Sequence, residues 1–65
     1  MSEKARLELA EIVRALRKSK GWSEQELATR AGIGRSSLRN IESGTGNPTL
    51  YTLDLLGAAL GVELY

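Results

Sequence analysis

Apolar residues recur at helical spacing near the start of the chain and predict a first helix over about residues 3–19. Ser2 precedes this stretch as a helix N-cap, and Gly21 follows it as a stop signal. The inward face is expected to comprise four residues at the i, i+3, i+4, i+7 spacing of an amphipathic helix, namely Leu9, Ile12, Val13 and Leu16.

Start signals for a second helix, predicted over residues 24–31, coincide at Ser23. The serine hydroxyl can accept hydrogen bonds from the amides of the first turn. Glu26 lies three residues later and would complete a capping box. Trp22 and Leu27 flank the cap and can form a hydrophobic staple, which predicts that the tryptophan packs against the core rather than on a nucleic acid.

A third helix is predicted over residues 35–42, after a tight turn. Gly32 ends the second helix, because glycine adopts a positive φ without steric penalty. Gly34 can serve as the next N-cap. Leu38 and Ile41 lie three residues apart and so share one face, which points inward. The other faces of this helix carry only polar side chains: Arg35, Ser36, Arg39, Asn40 and Ser43.

The outer surface of the third helix suits the edges of base pairs. Arginine can bond guanine bidentately, asparagine can do the same to adenine, and serine can bond either. Residues 23–43 resemble the helix-turn-helix of the lambdoid-phage repressor and Cro family, the XRE-type transcriptional regulators. The resemblance extends from about Leu9 to Val62, and the residues at the family's packing and turn positions are Leu27, Ala28, Gly32, Leu38 and Ile41.

A fourth helix is predicted over residues 50–60, after a loop rich in glycine. Thr49 is its expected N-cap and Gly61 its stop signal. The tail over residues 62–65 alternates apolar and polar residues, which indicates either a short strand or a frayed end tucked in by Leu64. The fold class is therefore all-α, with four helices and with or without a C-terminal strand. The inward stripe of the fourth helix is Leu53, Leu56, Gly57 and Leu60.

A chain of 65 residues has room for one domain, expected to span residues 1–65. Because the chain contains no cysteine and no histidine, disulfides are excluded and the commonest metal sites are unavailable, so no metal or cofactor is expected. Ser36 and Ser37 have no base to activate them, and no catalytic residue or enzyme activity is predicted. No apolar run approaches the ~20 residues that span a bilayer. No signal peptide is visible, which favours a soluble cytoplasmic protein.

The charges are unevenly distributed although the net charge is only +1. Residues 1–22 carry six cations against three carboxylates, residues 23–42 carry three of each, and residues 43–65 carry two carboxylates and no cation. This asymmetry fits one face toward phosphate and another toward a partner. We expect the base-facing set to be Arg35, Ser36, Arg39 and Asn40, with Arg39 the best suited of them to touch phosphate instead. The expected backbone set is Lys18, Lys20, Arg30, Gly34 and Ser43.

The family resemblance implies a buried or half-buried ion pair between Arg17 in the first helix and Glu42 in the third. Two departures from the family pattern weaken the expected hold on DNA. The loop over residues 44–48 has no cation, and Glu24 stands where relatives commonly carry a phosphate-contacting glutamine. A carboxylate repels phosphate, so Glu24 is expected to pair with Arg35 or to face away.

The function that these features predict is a transcriptional repressor that binds a palindromic operator in double-stranded DNA as a homodimer. An antitoxin-like regulator that also binds a protein toxin is an alternative. A protein-interaction module that has lost DNA binding is another, favoured by Glu24 and the uncharged loop. Apolar residues off the inward face of the fourth helix would leave an exposed patch. With the tail they form the expected dimer interface: Tyr51, Leu55, Ala58, Val62, Leu64 and Tyr65.

Overall fold

Four α-helices make up the computed structural model, which describes residues 1–65. Helix α1 packs on α3, and α2 packs on both α3 and α4. No helix has the length and apolar character needed to cross a membrane. The predicted all-α class is confirmed, and each predicted helix boundary lies within one residue of the observed one. The bounds are α1 Glu3–Ser19, α2 Glu24–Ala31, α3 Arg35–Ser43 and α4 Leu50–Leu60.

Side-chain hydroxyls cap the N-termini of three helices. Ser2, Ser23 and Thr49 each accept a hydrogen bond from the amide three residues further on, at 3.0–3.1 Å. The capping box at Ser23 is only half formed. The Glu26 carboxylate lies 3.4 Å from the Arg30 guanidinium, one turn along α2, instead of returning to the Ser23 amide. The hydroxyl bond alone therefore caps the start of α2.

The hydrophobic core lies between the four helices. Leu27, Leu38 and Leu56 are fully buried, one each from α2, α3 and α4, and Val13 is their counterpart from α1. Burying a side chain of this size stabilises the fold by about 1.5–3 kcal/mol. Each helix thus contributes a fully buried side chain to the core. Its members are Leu9, Val13, Leu27, Ala28, Ala31, Leu38, Ile41, Leu53, Leu56 and Leu60.

The predicted inward face of α1 is wrong at one position. Ile12 is 49% exposed, whereas Ala10 is buried. These two residues are two positions apart and so point to opposite sides of the helix. Helix α3 is the neighbour that α1 contacts most. The buried face of α1 is therefore turned toward Ala10, and Ile12 is left on the opposite flank.

The last four residues form no strand, so of the two alternatives for the tail the end tucked in by Leu64 is the one observed, with Leu64 half-buried against the core. A strand needs an extended partner, and every long segment of this chain is helical. The Val62 amide instead donates to the Gly57 carbonyl at 3.0 Å. Glycine is required there, because a Cβ atom at position 57 would overlap the carbonyl oxygen of Val62. The Tyr65 hydroxyl donates to the Asp54 carboxylate at 2.6 Å, which raises the pKa of Tyr65.

Candidate nucleic-acid interface

The polar face of α3 is presented to solvent. Arg35, Ser36, Arg39 and Asn40 are exposed and together line a shallow depression of about 230 Å³ that has no apolar lining residue. The structure thus brings the four predicted base-facing residues together on one surface. Their role in base contact remains a prediction.

Helix α3 is held from behind by an ion pair with α1. Arg17 Nε lies 2.7 Å from Glu42 Oε2, and Arg17 Nη2 lies 3.0 Å from Glu42 Oε1. The side chain of Glu42 is 4% exposed and that of Arg17 is 12% exposed, so little water screens the pair. The hydrogen bond to Glu42 raises the pKa of Arg17. A charged, bidentate pair of this kind fixes both distance and orientation between the two helices.

Arg14 also holds α3, a role that the sequence reasoning missed. Its Nη1 donates to the backbone carbonyl of Glu42, near the C-terminal end of α3. A cation at this end of a helix satisfies an unpaired carbonyl and favours the negative end of the dipole. The spacing held a signal, because Arg14 and Arg17 are three residues apart and share one face of α1.

The cations predicted to contact the DNA backbone differ in whether they already have a partner within the protein. Lys18 is exposed and has no partner in the protein. The Lys20 ammonium lies 5.4 Å from the ring centroid of Trp22, and the Arg30 guanidinium lies 4.3 Å from it. Arg30 also contacts the Glu26 carboxylate. Trp22 itself packs at the edge of the core. Lys18 and Lys20 are therefore the freer cations, and Arg30 is partly used within the fold.

The other two predicted backbone contacts lie at the ends of α3. Gly34 is its N-cap and offers no side-chain acceptor, so the first-turn amides of α3 stay free to face a phosphate. The Ser43 hydroxyl donates to the Asn40 carbonyl at 2.9 Å and lies 2.8 Å from the Thr45 hydroxyl. Ser43 thus helps to end the helix, and its hydroxyl is already used.

Comparison with known proteins places this arrangement in a family. Residues 13–65 match the family model described as helix-turn-helix. The chain belongs to the helix-turn-helix family of the phage repressor and Cro type. Membership agrees with the predicted DNA-binding regulator and with the expectation that the chain is not an enzyme.

The crystal structure of the hypothetical transcription factor NHTF from Neisseria resembles this helix-turn-helix chain with a TM-score of 0.87 and 37% identity, over 98% of this chain and 73% of that one. The immunity repressor of Bacillus phage phi105 is 36% identical over 52 residues, which are 80% of this chain and 36% of the repressor. Antitoxin HipB of Escherichia coli K12 is 36% identical over 45 residues, 69% of this chain and 51% of HipB. The chain spans about half the length of the curated relatives it matches.

Glu24 departs from the expectation for this helix-turn-helix domain. Its Oε1 lies 4.0 Å from Nε of Arg39, and no contact with Arg35 forms. The expected pairing with Arg35 is therefore wrong. The Glu24 side chain therefore reaches Arg39 in the second turn of α3 and not Arg35 in its first turn.

The predicted dimer surface is exposed in part. Tyr51 is 72% exposed, and Ala58, Val62 and Tyr65 are also exposed. Two members of the set differ. Leu55 is half-buried and not fully exposed as expected, and Leu64 packs toward the core. The additional exposed apolar residue on this helix is Leu50, beside Tyr51 at the start of α4.

Proposed function

We propose that this helix-turn-helix domain binds double-stranded DNA sequence-specifically with α3 in the major groove, and that it represses transcription in the cytoplasm. The observation that carries the proposal is the exposed polar face of α3 on a helix whose opposite face is buried. The major groove is about 12 Å wide and admits one α-helix. The Arg17–Glu42 pair orients that helix before DNA arrives, so ordering costs little on binding.

The residues divide into two roles in this proposal. Arg35, Ser36 and Asn40 contact base edges and carry the sequence information, whereas contacts to phosphate fix the position of the domain. Lys18 and Lys20 contact phosphate, and the free amides at the start of α3 bind a second phosphate through the helix dipole. With a net charge of +1, the domain depends more on placed contacts than on its overall field.

The substitution Asn40→Ala is expected to cost about 1–3 kcal/mol of binding free energy and to relax the preference at one base pair. Lys20→Ala should weaken binding to every sequence alike and make the slope of log K against log salt shallower by about 0.9. The measurement is selection from random duplexes, followed by mobility shifts at several salt concentrations. Lys4→Ala is the matched control, since Lys4 lies about 24 Å from Lys20 along α1. If both test variants scaled all sequences equally, the division of roles would be wrong.

We also propose that two copies pair through α4 and the tail to bind a palindromic operator. The exposed apolar residues Tyr51, Ala58, Val62 and Tyr65 support a surface that is covered in the working state. The longest dimension of the domain is 28 Å. Two domains side by side can thus place their α3 helices about 34–36 Å apart, which is one turn of DNA. A second copy would also add to a small core.

Tyr51→Glu is expected to convert the dimer to a monomer, because it places a charge at the most exposed residue of the apolar surface. Leu55→Glu should do the same but also loosens the half-buried site, so Tyr51 is the cleaner test. Leu7→Glu is the control, because Leu7 is an exposed apolar residue of α1 outside the groove that Val62 and Leu64 line. Sedimentation equilibrium at high micromolar concentration gives the mass of each. A monomeric wild type, or a Tyr51→Glu variant that dimerises unchanged, would contradict the proposed interface.

An antitoxin-like regulator is the second candidate function. Similarity to antitoxin HipB supports it, whereas the lack of any cation in the loop between α3 and α4 favours a module that has lost DNA binding. In this case the domain binds DNA and a protein toxin through different surfaces. A folded wild type that shifts no duplex even at low salt would favour the third alternative, a protein-interaction module that has lost DNA binding.

A further inference from the structure

We propose that Glu24 is a positioning residue that holds Arg39 over base edges and away from the phosphate backbone, and so sets part of the sequence preference. The inference rests on the proposed binding of DNA by α3. It replaces the expectation that Arg39 is the member of the base-facing set best suited to touch phosphate.

The contact engages only one of the three guanidinium nitrogens. Glu24 Oε1 lies 4.0 Å from Arg39 Nε, and the two terminal nitrogens of Arg39 have no partner in the protein. Those two nitrogens form the planar fork that can donate to O6 and N7 of guanine. An arginine whose Nε side is attracted by a carboxylate and whose fork is free is arranged for base contact, whereas an arginine without that attraction would also contact the nearest phosphate.

Glu24 is itself well placed to act as a restraint. It is half-buried, and the first turn of α2 favours a carboxylate through the helix dipole. Its charge also acts on the Arg17–Glu42 ion pair, which holds α3 against α1. The pKa of Arg17 is raised chiefly by the hydrogen bond to Glu42, with a smaller contribution from the charge of Glu24. The Glu24 carboxylate therefore acts electrostatically on an arginine in α1 and an arginine in α3.

The carboxylate also makes a phosphate contact by Arg39 unfavourable. Any phosphate that approached the Nε side of Arg39 would come close to Glu24, and like charges repel at short range. The side chain of Arg39 is 59% exposed, so no other part of the protein prevents it from turning toward the DNA backbone. Glu24 thus favours specificity at the expense of non-specific affinity.

Glu24→Gln tests this, because it keeps the size of the side chain and removes the charge. Glu26→Gln is the matched control, since it removes the same charge from the same turn of α2 but contacts Arg30 and not Arg39. Both variants and Arg39→Ala are compared with wild type by selection from random duplexes and by salt titration. Thermal unfolding checks that each variant is folded.

Wild type is expected to show a guanine preference that Arg39→Ala abolishes. Glu24→Gln should weaken that preference by up to about fivefold, the most that an ion pair as exposed as this one provides. It should also bind non-cognate DNA more tightly, with a salt slope steeper by about 0.9 as Arg39 gains a phosphate. Glu26→Gln should leave the guanine preference unchanged. In the Arg39→Ala background, Glu24→Gln should not change the preference at this position.

The outcomes separate this inference from the proposed function. If wild type binds DNA with a guanine preference that depends on Arg39, and Glu24→Gln affects it no more than Glu26→Gln, the role of Glu24 is overturned and the DNA-binding proposal stands. If wild type shows no sequence preference under any salt condition, both proposals are overturned.

Discussion

Arg17→Met is expected to leave most of the protein unfolded in buffer at about 25 °C. The Glu42 carboxylate is buried and its two oxygens bond to Arg17. Stranding such a charge costs about 3–5 kcal/mol. A core of this size supplies only about 3–5 kcal/mol of net stability, so the loss is of the same order as the whole. Arg17 also donates to the Trp22 carbonyl at 2.8 Å, and that bond is lost as well.

A double-mutant cycle measures the pair directly. Arg17→Met, Glu42→Gln and the double variant are unfolded with urea, with trimethylamine N-oxide added to keep the weaker variants folded at low denaturant. The expected coupling is at least about 1 kcal/mol, because the residues contact each other. Glu26→Gln is the control, since its exposed pair with Arg30 is worth about 0–1 kcal/mol. A coupling near zero would show that Arg17 and Glu42 act as independent charges.

The Arg17–Glu42 ion pair should keep its stabilising effect as the pH rises through the neutral and mildly alkaline range. Its hydrogen bond raises the pKa of Arg17 in the folded state above the ordinary arginine value. The stabilisation is then fully present below the pKa of arginine in the unfolded chain. It is lost only as the pH rises through the raised folded value. Mild alkaline conditions therefore cannot substitute for the Arg17→Met test.

The helix ends could be predicted from sequence because their signals are local. A hydroxyl at Ser23 or Thr49 bonds an amide three residues away, whatever the rest of the chain does. Gly32 and Gly61 end their helices with a positive φ for an equally local reason. These interactions depend on neighbours along the chain, so reading the chain in order is enough to find them.

Features that depend on how helices cross could not be predicted in the same way. The exposure of Ile12 follows from the side of α1 on which α3 lies, and helical spacing alone allows either side. The half-burial of Leu55 and the bond from Arg14 to the end of α3 are of the same kind. Each depends on the tertiary arrangement of the helices. The apolar pattern limits the possible arrangements but does not select one of them.

The candidate site also combines a feature that the sequence predicts with one that depends on how the helices cross. The outer face of α3 could be predicted from the apolar positions Leu38 and Ile41, because a helix with one buried face presents its other face to solvent. The partner of Glu24 could not be predicted from the sequence. Arg35 and Arg39 are one turn apart on the same face, and only the crossing of α2 and α3 selects Arg39.

Leu38→Ala is expected to destabilise the protein by about 2–5 kcal/mol, because it removes a fully buried side chain and leaves a cavity between α3 and the other helices. Leu50→Ala is the matched control, with both variants measured at a concentration at which the protein is monomeric, because Leu50 lies beside the proposed dimer surface. It is the same substitution in a helix, but Leu50 is 64% exposed, and a surface change of this kind stays within about 0.5 kcal/mol. Urea unfolding followed by circular dichroism measures both. Equal effects would mean that Leu38 does not belong to the core.

The Leu38→Ala variant also distinguishes an effect of folding stability on DNA binding from an effect on the contacts with bases. Leu38 lies on the buried face of α3, away from the polar face, so Leu38→Ala should weaken DNA binding only by lowering the folded fraction, and the preferred sequence should be unchanged. Adding the selected duplex should restore folding, because a ligand that binds only the folded state stabilises it by about 2.7 kcal/mol at one hundred times its Kd. Asn40→Ala should show the opposite pattern, with normal stability and an altered preference. A shift in preferred sequence for Leu38→Ala would instead mean that its cavity reorients α3, and that packing behind the helix helps to set which bases are contacted.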